Sequence, residues 1–231
     1  MGVLGSVLVT GGSGGLGGAV VGAFVEAGWR VVVPERSARP EAEPAAEGLV
    51  RLVADLTEPA GAARAVEVAA GESAAPLRAV VNLVGGYASG GLVHETPVED
   101  FERMLTVNLR PTYLVTQAAL PHLLAAGGGA VVCVAARAAL APFPGAAGYV
   151  TAKAAVLALA NAVAVEYRSR NVRCNTVLPS VIDTPANRAA QPDADHSRWV
   201  APAEIASVIR FLASAESAPT SGATVPVYGR A

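Results

Sequence analysis

Short apolar segments alternate with longer segments of helical periodicity along the whole chain. The apolar segments are continuously hydrophobic, which is typical of parallel strands covered by helices on both faces. The pattern predicts an α/β fold: a single domain over residues 1–231 with a doubly wound sheet of about seven parallel strands. The predicted strands are 6–10, 29–33, 49–55, 78–84, 130–134, 172–178 and 223–228. The predicted helices are 15–28, 59–70, 98–125, 148–169 and 202–213.

One segment, residues 183–200, departs from this alternation. Its sequence, DTPANRAAQPDADHSRWV, is polar and contains two prolines. Long irregular segments inside a compact domain commonly serve a site. We therefore expect a mobile loop that covers the substrate.

The composition excludes several classes of function. Of the 231 residues, 52% are hydrophobic and 16% are charged, so the chain can bury a large core. A net charge of −2 provides no basic surface for nucleic acid. No apolar run reaches the ~18 residues that cross a bilayer, and no signal peptide precedes the first strand. We expect a cytoplasmic protein that binds neither nucleic acid nor membrane.

Cysteine and histidine are too few and too scattered to predict a metal site or a disulfide. Cys133 and Cys174 fall on separate predicted strands, without a Cys-x-x-Cys pattern. The three histidines, His94, His122 and His196, are far apart in the sequence. We expect no metal, and two buried cysteines that pack as small hydrophobic side chains.

A glycine-rich loop, TGGSGGLG at residues 10–17, lies between the first predicted strand and the first predicted helix. Glycine lets backbone amides approach a pyrophosphate, and the helix N-terminus supplies partial positive charge. This position in the first βαβ unit is that of a Rossmann nucleotide site, and a purely structural turn is the alternative. The expected cofactor contacts are Gly11, Ser13, Gly15, Leu16 and Gly17.

Residues after the second and third strands should select the cofactor. The Glu35 carboxylate can accept hydrogen bonds from both ribose hydroxyls of NAD and repel a 2′-phosphate. Arg36 and Arg39 follow, and a guanidinium binds such a phosphate or stacks on adenine. NAD is therefore favoured, with NADP as the alternative. Asp55, followed by Leu56, is expected to accept the adenine amino group or to cap the next helix.

Tyr149 and Lys153 form the clearest candidate for catalysis. Lys153 is the only lysine of the chain, and its spacing from Tyr149 places both side chains on one helix face. An ammonium about 4 Å from the phenol would lower its pKa by about 3 units, towards neutrality, where acid–base catalysis is efficient. An exposed pair without function is the alternative.

These motifs resemble the short-chain dehydrogenase/reductase family over essentially the whole chain. The glycine loop and the Tyr-x-x-x-Lys pair carry the resemblance, with NLVG at 82–85 for the family's NNAG and NTVLPSVIDT at 175–184. The resemblance implies that Tyr149 donates the proton, that Lys153 assists it and anchors the ribose, and that Asn108 holds the proton relay. It also implies cofactor contacts at Asn82, Gly85, Pro179, Ile182 and Thr184.

The family's catalytic serine is missing from this sequence. It would lie thirteen residues before Tyr149, where the chain has Ala136, and Ala135 also lacks a hydroxyl. Loss of one such oxyanion donor typically costs about 10²–10³ in rate. Either the protein binds dinucleotide but has lost its catalytic activity, or its electron acceptor does not require this donor.

A narrower resemblance favours the second explanation. The segment 178–199 is similar to the corresponding loop of dihydropteridine reductases, which also have alanine in place of the serine. That resemblance implies hydride transfer to a quinonoid pterin. Tyr87, Phe143 and Trp199 are candidates to stack on a flat substrate, with packing in the wall as the alternative.

The sequence thus predicts a NAD(P)H-dependent oxidoreductase that reduces a flat conjugated small molecule, such as a quinonoid dihydropterin or a quinone. One alternative is a carbonyl reductase or alcohol dehydrogenase with a substitute oxyanion donor. The other is a catalytically impaired, dinucleotide-binding regulatory protein. Ala- and Leu-rich faces at 98–125 and 148–169 predict a homodimer or homotetramer.

Overall fold

A parallel sheet forms the centre of the computed structural model, which describes residues 4–38 and 46–230. Its strands are β1 (Ser6–Thr10), β2 (Arg30–Glu35), β3 (Leu49–Val53), β4 (Leu77–Asn82), β5 (Gly129–Val134), β6 (Val172–Pro179) and β7 (Thr224–Val227). The helices are α1 (Gly17–Glu26), α2 (Pro59–Ala70), α3 (Val98–Asn108), α4 (Arg110–Ala125), α5 (Ala147–Glu166), α6 (Pro185–Ala190) and α7 (Pro202–Ala213).

The order of the strands across the sheet is β3-β2-β1-β4-β5-β6-β7, and every pairing is parallel. The chain runs outward from β1 to β3 and then returns to place β4 beside β1. This reversal opens a crevice at the carboxyl ends of β1 and β4, where ligands of doubly wound folds bind. The predicted fold class is confirmed.

Two hydrophobic cores cover the two faces of the sheet. Along β1, Leu8 packs into the core shared with α2, α4 and α5, whereas Val7 and Val9 pack into the core shared with α1 and α7. All three side chains are fully buried. This two-sided burial explains why the strands are continuously apolar.

The predicted single helix at 98–125 is wrong, because the structure divides it into α3 and α4 at Leu109. Pro111 has no backbone N–H to donate to the carbonyl of Val107, so the regular helical pattern is interrupted there. The break places Asn108 at the last position of α3, next to the crevice.

The segment predicted as an irregular loop at 183–200 contains regular structure. It includes α6 and a short 3₁₀ helix at His196–Arg198, and Ile182 bridges to Val200 at its base. Its mobility stays a prediction. Elsewhere in the chain, β2 continues beyond its predicted end at residue 33 to include Glu35.

Helix α5 is long and apolar enough to cross a membrane by length and composition alone, with a mean hydropathy of 1.5. The expectation that no segment reaches this length is therefore wrong. Packing in the core accounts for its composition, since Val156, Leu157, Ala160 and Val163 all contribute to the core beneath it.

Candidate active site

The glycine loop after β1 is packed so tightly that side chains are excluded at several positions. Gly11 has a φ of 68°, a left-handed conformation that favours glycine. A Cβ at Gly17 would overlap the carbonyl of Gly11, and one at Gly15 would lie 2.7 Å from Cγ2 of Thr184. Because α1 begins at Gly17, this bare backbone faces a helix N-terminus and fits a pyrophosphate.

Thr10 connects the two strands that border the crevice. Its Oγ1 accepts hydrogen bonds from the backbone N–H groups of Leu83, at 3.0 Å, and Val84, at 3.3 Å, and donates to the carbonyl of Val81. The single buried hydroxyl thus fixes the loop after β4 against the end of β1. Thr10 belongs to the glycine motif of the sequence, but its connecting role was not predicted.

The residues expected at the adenosine end of a dinucleotide border one cavity of about 300 Å³. Asp55 lies at its rim, where its Oδ1 accepts hydrogen bonds from the N–H and the hydroxyl of Thr57. The hydroxyl hydrogen bond is the main cause of the lowered pKa of Asp55. Asp55 therefore holds the turn before α2 as well as lining the cavity. The other candidates that line it are Gly11, Ser13, Glu35, Arg36 and Leu56.

Glu35 is paired with a residue that was not predicted from the sequence. Arg51, on the neighbouring strand β3, places its Nη1 2.5 Å from Oε1 of Glu35. Glu35 is 7% exposed, so its carboxylate is almost fully withdrawn from water. An arginine in the middle of the apolar strand LVRLV was the available signal. Arg39, the other candidate in this region, lies outside the described residues.

Tyr149 and Lys153 lie one turn apart near the N-terminus of α5, and Lys153 contacts the carboxyl end of β5. The Nζ of Lys153 lies 5.9 Å from the ring centroid of Tyr149 and donates a hydrogen bond to the carbonyl of Val134 at 3.2 Å. Lys153 is only 6% exposed. The structure therefore shows a buried lysine beside a half-buried tyrosine, and not an exposed pair.

The pKa values of this pair overturn one expectation. Burial raises the pKa of Tyr149 to about 12, and Tyr87 adds a smaller contribution. Burial also lowers the pKa of Lys153 to about 8, and Cys133 opposes this shift. The prediction that Lys153 brings the pKa of Tyr149 close to neutrality is wrong, because removing the phenol from water disfavours its anion.

Asn108 holds the loop that follows β4. Its Oδ1 accepts a hydrogen bond from the N–H of Gly86 at 3.1 Å, and its Nδ2 donates to the carbonyls of Gly86 and Met104, both at 3.0 Å. Its own carbonyl accepts the hydroxyl of Thr112. The side chain is thus a positioning element for the segment that carries Gly85 and Tyr87, and its relay role stays a prediction.

Gly85 lies next to two buried polar groups, the amide of Asn108 and the ammonium of Lys153. A Cβ at this position would lie 2.5 Å from Oδ1 of Asn108 and 3.0 Å from Nζ of Lys153. Any side chain here would displace one of the two groups. Asn82, three residues earlier, lies deeper and donates to Thr116 Oγ1, so its amide supports the loop from beneath.

Aromatic side chains border Tyr149 on its exposed side. The ring of Tyr87 lies edge-to-face with that of Tyr149, with centroids 5.1 Å apart, and the Phe143 ring is 6.5 Å from Tyr87. Tyr87 is 62% exposed and its hydroxyl donates to Ser89 Oγ. Trp199 does not join this group in the contacts of the described residues, since it packs against His196 with centroids 4.3 Å apart.

The remaining candidates frame the crevice near β6. Pro179 ends β6, and Ile182 lies at the base of the 183–200 segment. Thr184 caps the N-terminus of α6 by accepting a hydrogen bond from the N–H of Asn187. Thr184 also touches the glycine loop at Gly15. Leu16 precedes α1 and packs against the adjoining core.

Position 136 follows the end of β5 and leads into a 3₁₀ turn at Arg137–Ala139. Ala135 and Ala136 are both buried, and the N–H of Ala135 donates to the carbonyl of Val177. Cys133 and Cys174 are both buried, as predicted. Across residues 4–38 and 46–230, His, Cys, Asp and Glu form no group suited to a metal ion.

Comparison with known proteins identifies relatives along almost the whole chain. A family profile described as short chain dehydrogenase matches residues 6–195. The chain is 34% identical over 241 residues to 2-(R)-hydroxypropyl-CoM dehydrogenase of Xanthobacter autotrophicus, with 96% of each chain covered. It is 32% identical over 238 residues to 2,5-dichloro-2,5-cyclohexadiene-1,4-diol dehydrogenase of Sphingobium indicum, with 96% of this chain and 94% of that one covered.

Solved structures extend the comparison to three dimensions. A short-chain type dehydrogenase/reductase from Mycobacterium ulcerans superposes with a TM-score of 0.91 at 25% sequence identity. The match covers 99% of this chain and 90% of that chain. The seven-stranded architecture is therefore shared with proteins of this kind.

Proposed function

Because this chain belongs to the short-chain dehydrogenase/reductase family of NAD(P)-dependent oxidoreductases, we propose that it reduces a flat conjugated acceptor, such as a quinonoid dihydropterin or a quinone. The observation that carries the proposal is an open aromatic wall beside Tyr149 at a site whose position 136 is alanine. Tyr87 and Phe143 present exposed ring surface to a flat substrate.

The dinucleotide would bind along the crevice. Its pyrophosphate fits the bare backbone at Gly11, Gly15 and Gly17, and its adenosine end fits the cavity beside Glu35 and Asp55. When bound, the reduced nicotinamide supplies a hydride. The chain's own residues then have to orient the acceptor and deliver one proton.

Tyr149 is suited to donate that proton. With a pKa raised to about 12 by burial, the phenol is protonated throughout the neutral range. Transfer of its proton to the reduced acceptor leaves a tyrosinate, and the adjacent Lys153 ammonium stabilises that negative charge. Lys153 keeps its charge below its pKa of about 8, so both groups are in the required state at neutral pH.

The alanine at position 136 supports a conjugated acceptor over a simple ketone. A ketone develops negative charge on one oxygen, and a missing donor there costs about 10²–10³ in rate. A conjugated ring spreads the incoming electron pair over several atoms and needs less stabilisation at any one of them. The similarity of residues 178–199 to dihydropteridine reductases supports the same substrate class.

Stopped-flow reduction of a quinonoid dihydropterin by NADH and NADPH tests this function. We expect turnover by the wild type and a loss of about 10²–10⁴-fold in Tyr149→Phe, because the proton donor is removed. Tyr113→Phe, on the exposed surface of α4, is the matched control and should retain full activity. Tight NADH binding without turnover of any pterin or quinone would refute the proposal.

A carbonyl reductase or alcohol dehydrogenase is the second candidate, favoured by relatives whose names refer to alcohol substrates. Such an enzyme requires another donor for the carbonyl oxygen. The Tyr87 hydroxyl, on a ring packed against Tyr149, is a candidate for that donor. Ketone reduction that disappears in Tyr87→Phe supports this function, whereas ketone reduction that appears only in Ala136→Ser supports the first.

We also propose that the chain acts in the cytoplasm as a homodimer or homotetramer joined through α4 and α5. Tyr113 on α4 and Val165 on α5 are exposed apolar side chains, at 47% and 69%. A cavity of about 430 Å³ between the two helices offers further apolar surface. Light scattering should show an oligomer for the wild type and smaller species for Val165→Glu, and a wild-type monomer would refute the interface.

A further inference from the structure

Strand pairing brings an arginine to the acidic residue at the ribose end of the crevice. In the register of β2 and β3, Val33 lies opposite Arg51 and Glu35 lies opposite Val53. Arg51 extends along the sheet to place Nη1 2.5 Å from Oε1 of Glu35. Glu35 is 7% exposed and the Arg51 side chain is 32% exposed, so the pair is partly shielded from water.

This ion pair changes what Glu35 can do to a cofactor. A carboxylate at this position selects a free ribose by accepting hydrogen bonds from its hydroxyls and by repelling a 2′-phosphate. Both effects depend on a carboxylate whose charge and oxygen atoms are directed at the ribose. Arg51 occupies one oxygen and opposes the negative charge at close range.

The next residue adds a second positive charge. Arg36 is exposed and lines the same cavity as Glu35 and Asp55. Its charge is also felt by Asp55, whose pKa is lowered mainly by Thr57 and to a smaller extent by Arg36. Among residues 4–38 and 46–230, Arg51 and Arg36 thus place guanidinium groups beside the two carboxylates, and Asp55 is additionally engaged by Thr57.

We infer that Arg51 determines the cofactor specificity of this protein. By neutralising Glu35 it makes the cavity tolerant of a ribose 2′-phosphate, which Arg36 can then bind, so that phosphorylated and unphosphorylated dinucleotides both enter. Arg51 acts through Glu35 and is a positioning residue. The inference rests on the proposed dinucleotide site and is independent of the acceptor that the enzyme reduces.

Calorimetric titration with two fragments, adenosine 2′,5′-bisphosphate and 5′-AMP, tests the inference without any turnover. We expect the wild type to bind both with dissociation constants within about tenfold of each other. In Arg51→Met the loss of the positive charge beside Glu35 should shift this ratio against the 2′-phosphate by about 10- to 100-fold. Arg51→Lys keeps the charge and should stay near the wild type.

The double variant Arg51→Met/Glu35→Gln separates an indirect role from a direct one. If Arg51 acts through Glu35, removing both charges restores the wild-type ratio to within about threefold. If the penalty persists in the double variant, Arg51 contacts the phosphate itself and the inference is overturned. Arg103→Met, which breaks the exposed pair with Asp100 on α3, is the matched control and should leave the ratio unchanged.

Two failures can be distinguished. If the wild type binds neither fragment, the dinucleotide site proposed for this crevice is wrong. If the wild type binds both but Arg51→Met leaves their ratio unchanged, the site is correct and the role of Arg51 is refuted. Should Arg51→Met fail to fold by circular dichroism, Glu35→Gln alone still tests the pairing, since it should shift the ratio towards the 2′-phosphate.

Discussion

Lys153 and Glu35 are both almost fully buried at the carboxyl edge of the sheet, yet their surroundings differ. Glu35 lies against the guanidinium of Arg51, which carries the opposite charge. Lys153 donates instead to a neutral group, the carbonyl of Val134, and burial lowers its pKa to about 8. One buried charge is compensated by an ion pair, and the other is held in its charged form at a cost.

This difference separates a buried charge that is matched by its environment from one that is not. An isolated buried charge destabilises the folded state, because desolvation favours the neutral form. A chain that has arginine at all its other basic positions apart from histidine keeps a lysine here. We therefore interpret Lys153 as a catalytic group whose burial lowers stability, and Glu35 with Arg51 as a pair that shapes a binding site.

Lys153→Met should produce the largest effects. Acceptor reduction should fall by about 10³-fold, because the charge that stabilises the tyrosinate of Tyr149 is lost. Stability at pH 7 should rise by up to about 3 kcal/mol, because a group with a folded pKa near 8 and an unfolded pKa of 10.5 no longer has to be buried charged. Single-turnover kinetics and urea unfolding measure the two effects.

The direction of the stability change in Lys153→Met decides whether the burial of the lysine is unfavourable for folding. A less stable Lys153→Met protein would show that the lysine contributes to folding and would remove the contrast with Glu35. Leu159→Met, on the same helix and partly buried, serves as a control for the introduction of methionine into α5 and should change neither quantity strongly.

Arg51→Met should lower the stability of the folded protein, whereas Lys153→Met should raise it. Removing this partner of the buried Glu35 carboxylate should lower the free energy of unfolding by about 1–2 kcal/mol, a value reduced from that of a fully buried pair because Arg51 is about one-third exposed. Urea unfolding measures the change. In a Glu35→Gln background the same substitution should cost less, and an equal cost in both backgrounds would contradict the pairing.

The fold and the central pair of the site could be predicted from local sequence. Val7, Leu8 and Val9 are continuously apolar because both faces of β1 are covered, and this requirement appears directly in the sequence. Tyr149 and Lys153 share a helix face by their spacing alone. Such features depend on residues that are neighbours along the chain.

The properties that escaped prediction depend on long-range packing. Arg51 reaches Glu35 only because β2 and β3 pair in one particular register, which the residue pattern does not specify. The pKa of Tyr149 depends on how much protein surrounds the phenol, and the sequence supplied the ammonium but not the burial. The identity of a site residue is thus easier to infer from the sequence than its electrostatic state.

The stability difference between the wild type and Lys153→Met should depend on pH. Because the pKa of Lys153 is lower in the folded state, the unfolded chain binds more protons between about pH 8 and 10.5, and wild-type stability gains with rising pH in this window. The advantage of Lys153→Met should shrink from about 3 kcal/mol at pH 7 to about 1.5 kcal/mol at pH 9.5. Tyr149 does not interfere below pH 10, since its raised pKa affects stability only above that value. Urea unfolding at the two pH values measures the difference, and a constant difference would show that Lys153 has an ordinary pKa in the folded protein.

Asn108→Asp tests whether Lys153 can be given a neighbouring group of opposite charge, as Glu35 has in Arg51. Oδ1 of Asn108 and Nζ of Lys153 both border Gly85, so a carboxylate at position 108 would face the ammonium across a short distance. It should raise the pKa of Lys153 and move the loss of reductase activity at alkaline pH upward from about 8 by about one unit. Asn108→Ala removes the same amide without adding charge and should lose activity through a loosened Gly86 loop, with its alkaline limb still near pH 8. Identical alkaline limbs in the Asp and Ala variants, measured in pH–rate profiles, would show that the pKa of Lys153 does not control the reaction.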